Sequence, residues 1–179
     1  FKILSRYRSY HGATNACMQL TGDPRRLPNE PGTPGFVKVM DPWPYTYSFG
    51  ATEAEITEQN LRYLEEVITY EGADNIAAMI IEPVTGTNGI LPRPAGYLKG
   101  LRELLTRHNI LLICDEVMAG CGRTGKWFAC EHWDVVPDIM TVAKGLSSGY
   151  LPIGAAIASE NVAEKFAGGE HNRMFGLSL

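Results

Sequence analysis

Three apolar runs in this chain show no polar alternation: NIAAMIIE at residues 75–82, ILLICD at 110–115 and DIMTV at 138–142. A strand with one wet face alternates apolar and polar side chains. A strand without alternation is covered on both faces, as in a parallel sheet packed between helices. Between the runs lie segments with helical periodicity. Residues 52–71 open at Thr52 or Glu53, place Leu61, Leu64, Val67 and Ile68 on one face and stop at Gly72; residues 95–108 repeat the pattern with Leu98, Leu101, Leu104 and Leu105. The strand–helix–strand rhythm specifies an α/β fold with a mostly parallel sheet flanked by helices. Shorter elements are expected at 2–5 and 155–158 (strands) and at 13–20, 127–133 and 161–166 (short helices). Residues 21–47 are rich in proline and glycine (DPRRLPNEPGTPG, DPWPY) and read as one long irregular excursion.

The 179 residues suffice for one sizeable core. The net charge of −4 and the dispersed lysines and arginines argue against a nucleic-acid partner. No apolar run approaches the roughly 18 residues of a membrane span. The four cysteines show no C-x-x-C spacing and read as reduced packing residues, which favours a cytoplasmic setting. A zinc set drawn from Cys121, Cys130 and His132 lacks a fourth ligand, so no metal is expected. The chain opens at Phe1 within what reads as a strand already under way and closes on GLSL without a helix end. It reads as an internal piece of a longer protein, and the lack of a targeting signal carries little weight.

The chemistry sits at the strand ends. Glu82, Asp115 and Lys144 lie at or just past the carboxyl ends of the three runs, where α/β sheets bind ligands. Asp115 and Lys144 each follow an apolar run, and such residues are seldom buried without a partner. A desolvated lysine is a usable amine nucleophile and can form a Schiff base. A carboxylate in low dielectric keeps a partner nitrogen protonated. Pyridoxal phosphate requires both, a lysine for its aldehyde and an acid for its ring nitrogen. The plainer alternatives are a surface lysine after a strand and a strand-end cap. A rival reading comes from Gly120-Cys121-Gly122-Arg123-Thr124-Gly125, which matches G-x-G-x-x-G, with Asp138 near the offset of a ribose-binding acid. Against a dinucleotide site, Asp115 and Glu116 stand between strand and glycines and would repel a diphosphate. The glycines are instead expected to let Arg123 fold back, onto Glu116, and to take no part in the chemistry.

Four motifs in order, SYHGAT (9–14), IIEPV (80–84), CDEVMAGCGRTGKWFACEH (114–132) and PDIMTVAKGLSSGYLPIGA (137–155), resemble those of the class III aminotransferases, pyridoxal-phosphate enzymes of fold type I. The resemblance covers essentially the whole chain. It implies that residues 1–179 are the central part of the cofactor-binding large domain, with the phosphate-cup region upstream and the small domain downstream. It implies Lys144 as the lysine that holds the cofactor's aldehyde and shuttles the proton, and Asp115 as the partner of the ring nitrogen. Val117 and Tyr10 become the residues on the two ring faces, His11 the support of Asp115, and Glu82 a residue near the substrate. Where many members carry glutamine after DEV, this chain has Met118, so the resemblance does not extend to an amide contact with the ring hydroxyl.

The resemblance is strongest to ω-amino acid:pyruvate enzymes acting on taurine or β-alanine. It implies a small-molecule amine and a 2-oxo acid as substrates and a homodimer as the assembly. Trp43, Tyr45 and Tyr47 would wall a small-substrate pocket or form a surface loop. The 4-aminobutyrate and diamine aminotransferases, glutamate-semialdehyde aminomutase and dialkylglycine decarboxylase share the same catalytic pair and stand as alternatives.

Overall fold

The computed structural model describes residues 1–43 and 47–167. The elements are β1 (Lys2–Arg6), α1 (Asn15–Leu20), β2 (Phe36–Val39), α2 (Glu53–Glu71), β3 (Ile76–Ile81), α3 (Tyr97–Arg107), β4 (Leu111–Asp115), β5 (Ile139–Val142), β6 (Ala155–Ala158) and α4 (Glu160–Ala167). They form one six-stranded sheet in the order β2-β1-β3-β4-β5-β6. All neighbours are parallel except β5 and β6, which pair antiparallel. The mostly parallel α/β fold read from the sequence is the fold observed.

The two long helices form for local reasons. In α2, Thr52 accepts from Glu55 N–H while the Glu55 carboxylate accepts from Thr52 N–H, a reciprocal cap worth about 1 kcal/mol. Its buried stripe is Ile56, Asn60, Leu64 and Ile68, a strict four-residue repeat; Leu61 and Val67 flank it, partly buried. α3 buries Tyr97, Leu98, Leu101, Leu104 and Leu105 against α2 and the central strands. Met79 and Ile81 of β3 and Leu112 and Cys114 of β4 complete this core. Each fully buried aliphatic side chain contributes about 1.5–3 kcal/mol.

Several expectations change. β2 lies inside the stretch read as irregular; its four residues, FVKV, are too short to stand out among prolines and glycines, and β1 recruits them in register. Residues Pro24–Asn29 of the same stretch form a 3-10 turn capped by Asp23. The helix expected at 127–133 is a 3-10 turn, Ala129–Trp133. β6 is exposed, unlike the other strands. Tyr45 and the closing GLSL lie outside the described residues.

Candidate active site

The sheet order sorts the candidate residues along one edge. β1 leads into Tyr10 and His11, β3 into Glu82, β4 ends in Asp115 and β5 runs into Lys144, and these four strands are neighbours. Asp115 pairs with Thr141 in register. Adjacent strands lie about 4.8 Å apart, so the acid ends one strand and the lysine follows the neighbouring one, three residues past Thr141.

Asp115 is 6% exposed, and both of its oxygens are committed. Oδ1 accepts from Val117 N–H at 3.1 Å, and Oδ2 lies 2.7 Å from His11 Nδ1. An ionised carboxylate only accepts, so Nδ1 carries the hydrogen of that bond. The His11 side chain is buried, its backbone N–H donates to Thr21 Oγ1 at 2.9 Å, and its Nε2 meets no hydrogen-bond partner among the described residues. The support of Asp115 by His11 thus has a geometric basis.

Glu82 is also buried. Its Oε1 accepts from Tyr10 N–H at 3.1 Å and its Oε2 from Gly86 N–H at 2.7 Å. Burial pushes its carboxyl above the usual range, against the two backbone N–H groups and His11, while Asp115 adds to the rise. Glu82 therefore joins the loop after β1 to the loop after β3. Met118 packs where a side chain at Gly86 would stand, 2.7 Å from its Cγ, which brings the Met118 stem next to Glu82.

Lys144 differs from its sequence reading: its side chain is exposed rather than buried. It follows β5 after Ala143, at the head of a 3-10 turn (Lys144–Ser147), with a left-handed φ of 45° that turns it out of the strand. It opens onto a cavity of about 450 Å³ shared with Val117, Met118, Gly120, Cys121 and Arg123. Such a φ is uncommon outside glycine and is found at functional sites. The glycine run, read as outside the chemistry, forms the wall of this cavity. Gly145 lies so close to the run that an added Cβ would sit 2.8 Å from Cys121 Cβ.

The expected fold-back of Arg123 onto Glu116 is not what holds that loop. Glu116 is buried and accepts from the N–H groups of Ala129 and Cys130 at 3.0 and 2.8 Å, while Arg123 is exposed. Asp138 caps the opposite edge of the sheet, accepting from Leu112 N–H at 2.7 Å and from Arg102 at 2.5 Å. That placement, at the start of β5, takes it away from the glycines and removes the structural basis of a dinucleotide site. Cys130 is packed in the core and His132 bonds Thr124, so the zinc set does not converge. Trp43 donates to Pro92 O at 2.8 Å and Tyr47 stacks edge-on to Phe49; neither lines the Lys144 cavity.

Sequence reasoning missed a buried ionic cluster behind Glu82. Arg93 donates to Glu82 O through Nε and Nη2 (3.2 and 2.9 Å), to Thr85 Oγ1, and to Asp41 at 2.9 Å. Arg6 reaches the same Asp41 oxygen at 3.4 Å and donates to Tyr97 Oη at 2.9 Å, which in turn donates to Asn60. This explains the polar Asn60 in the apolar stripe of α2. The available signal was Arg93 itself, a charge set between prolines in ILPRPAG before an apolar helix.

Residues 1–177 match the family Aminotransferase class-III. A taurine–pyruvate aminotransferase of Bilophila wadsworthia is 43% identical over 165 residues, covering 92% of this chain and 36% of the relative. The solved taurine:2-oxoglutarate aminotransferase of Bifidobacterium kashiwanohense, in complex with PLP and glutamate, superposes with a TM-score of 0.91 at 44% identity, covering 99% of this chain and 40% of that one. An (S)-enantioselective ω-transaminase of Thermomicrobium roseum gives 0.92 at 40% identity, covering 99% and 40%. The chain thus spans well under half the length of these relatives. The fold is that of the fold type I pyridoxal-phosphate transferases, and the cofactor of the family is pyridoxal 5'-phosphate. This chain belongs to the class III aminotransferases.

Proposed function

We propose that the protein containing this chain is a pyridoxal-phosphate-dependent aminotransferase that takes nitrogen from an ω-amino acid or amine, taurine or β-alanine first, and gives it to pyruvate. One observation carries the reading: a buried acid with both oxygens oriented, Asp115, stands at the end of the strand next to the one that delivers Lys144. The residues fit the cofactor. A pyridine nitrogen needs a fixed acid, an aldehyde needs a reachable amine, and Lys144 opens onto a cavity that Val117 also lines. When bound, the cofactor supplies an electron sink for the carbon that bears the substrate's nitrogen.

The residues of this chain do the rest. Asp115 holds a proton on the ring nitrogen by charge, and His11 Nδ1 and Val117 N–H hold Asp115 in place. Val117 and Tyr10 would pack against the two faces of the cofactor's ring. Lys144 Nζ would hold the cofactor by its aldehyde, and the same amine would serve as the acid–base group at that end of the site. Glu82 stands on the substrate side, held by Tyr10 N–H and Gly86 N–H. Residues 1–179 form the central part of the large domain; the phosphate cup and the small domain come from the rest of a homodimeric, cytoplasmic protein.

The donor reading is supported by the taurine–pyruvate relative. The acceptor has a second reading, because the B. kashiwanohense enzyme is a taurine:2-oxoglutarate aminotransferase. A donor panel of taurine, β-alanine, 4-aminobutyrate and diamines, each with pyruvate and with 2-oxoglutarate, separates them. Alanine formation from taurine or β-alanine with pyruvate is expected. Turnover with 2-oxoglutarate alone would replace the acceptor, and turnover confined to 4-aminobutyrate or diamines would replace the donor.

A further inference from the structure

Outside the residues so far assigned, Arg25 stands against Tyr10. Its guanidinium carbon lies 3.8 Å from the centroid of the Tyr10 ring, a face-on cation–π contact. We propose that Arg25 is a positioning residue that sets the plane of the Tyr10 ring, covering one face and leaving the other for the cofactor. This inference rests on the pyridoxal-phosphate reading and on the place of Tyr10 in it.

The geometry shows why the contact is fixed. A tyrosine ring turns about two bonds, and the backbone N–H of Tyr10, although held by Glu82, does not determine where the ring points. Arg25 is held from several sides. Its Nε lies 3.0 Å from each Asp23 oxygen, its Nη2 also donates to Asp23 Oδ2, and Nη2 reaches Thr87 Oγ1 at 2.7 Å. Asp23 is buried and accepts in addition from Arg25 N–H at 2.9 Å and Asn88 Nδ2 at 3.1 Å.

The segment carrying Arg25 is itself tied to the residue before Tyr10. Gly22 N–H and Asp23 N–H both donate to Ser9 O, at 3.1 and 3.3 Å. Gly22 lies flat on the preceding loop; an added Cβ would come within 1.9 Å of Arg6 O, so no other residue allows this approach. Three loops, after β1, before the 3-10 turn and after β3, therefore converge on one guanidinium. The hydrogen bond to Asp23 holds the Arg25 cation in its charged form. A planar fork can lie flat on a ring while bonding sideways in its own plane; a lysine ammonium cannot do both.

The test uses the full-length holoenzyme with Arg25→Met and Arg25→Lys. Three quantities are read: the dissociation constant of pyridoxal phosphate for the apoenzyme, the visible circular dichroism per mole of bound cofactor, and the unfolding midpoint of the apoenzyme. For Arg25→Met, cofactor affinity is expected to fall about two- to fivefold, the scale of a cation–π contact whose cation is partly exposed. The visible dichroic band per mole of bound cofactor is expected to weaken as the Tyr10 ring becomes free to turn, while loss of the pairing with buried Asp23 lowers the midpoint of the apoenzyme as well. Arg25→Lys is expected to recover only a minor part of the losses in affinity and dichroism, and it carries the same test should the methionine variant fail to fold. Wild-type affinity and dichroism in both variants would overturn the proposal. So would a lowered apoenzyme midpoint with unaltered dichroism per bound cofactor, which marks a loop strut. Either result leaves the cofactor reading intact, whereas a wild-type protein that binds no pyridoxal phosphate refutes that reading and this inference with it.

Discussion

Replacing Lys144 by alanine in the full-length protein is expected to remove the yellow chromophore that borohydride fixes to the chain, and to lower turnover by roughly 10³-fold or more. The size follows from what one amine does twice. In the proposed function it would both hold the cofactor's aldehyde as nucleophile and act as the acid–base group, and the second task alone is worth about 10²–10⁴. Its position explains why no neighbour replaces it. The two nearest lysines in sequence are Lys126, whose Nζ donates to Glu131 O at 2.8 Å, and Lys165 on α4, which lines a different cavity. Lys144 is exposed on the cavity wall rather than packed in the core, so the substitution leaves the fold intact. The measurement is mass spectrometry of the borohydride-reduced protein alongside a single-turnover assay. Covalent retention of cofactor at its usual yield in the alanine variant would move the linkage to another residue.

The largest effect on stability is expected at Asp41. Its side chain is 1% exposed and faces two buried guanidiniums, those of Arg93 and Arg6. Asp41→Ala leaves both cations without a counter-charge, and breaking such a buried pair costs about 3–5 kcal/mol. The acid itself shows the balance: burial pushes its carboxyl up, but Arg93 and Arg6 outweigh burial and hold it below the usual range. Burial and Arg6 in turn lower Arg93, against the pull of Asp41. A carboxyl depressed in the folded state stabilises the fold fully above its unfolded pKa of about 3.9 and loses that contribution as pH falls through the folded value. Urea unfolding at neutral pH should show the loss in Asp41→Ala, and acid unfolding should show the variant with a shallower pH dependence than the parent below about pH 4. Because Arg93 also holds Glu82 O, the same variant is expected to disturb the substrate side of the site.

The fold was legible because it depends on periodicity. Unalternating runs at β3, β4 and β5, and the leucine stripes of α2 and α3, state which faces must be dry, and only a helix-covered parallel sheet dries them all. β2 was not legible, since four residues among prolines carry no period; its pairing with β1 is a tertiary fact. Lys144 read as buried because apolar residues precede it, yet a single left-handed φ turns it into the cavity, and no propensity encodes that angle.

The candidate site divides the same way. The sequence by itself determined the acid and the lysine at strand ends, the SYHG loop with its tyrosine and histidine, and the motif order that marks the family, because these depend on residue type and spacing along the chain. Tertiary structure alone decided which strands are neighbours and therefore which of those residues meet. It brought His11 to Asp115 across a sequence separation of 104 residues, placed the glycine run in the cavity wall, and hid Arg6, Asp41 and Arg93 together behind Glu82. The reason is physical: hydrogen bonds and ion pairs between distant segments are set by strand order and loop approach, and the pattern of a single chain carries no record of either.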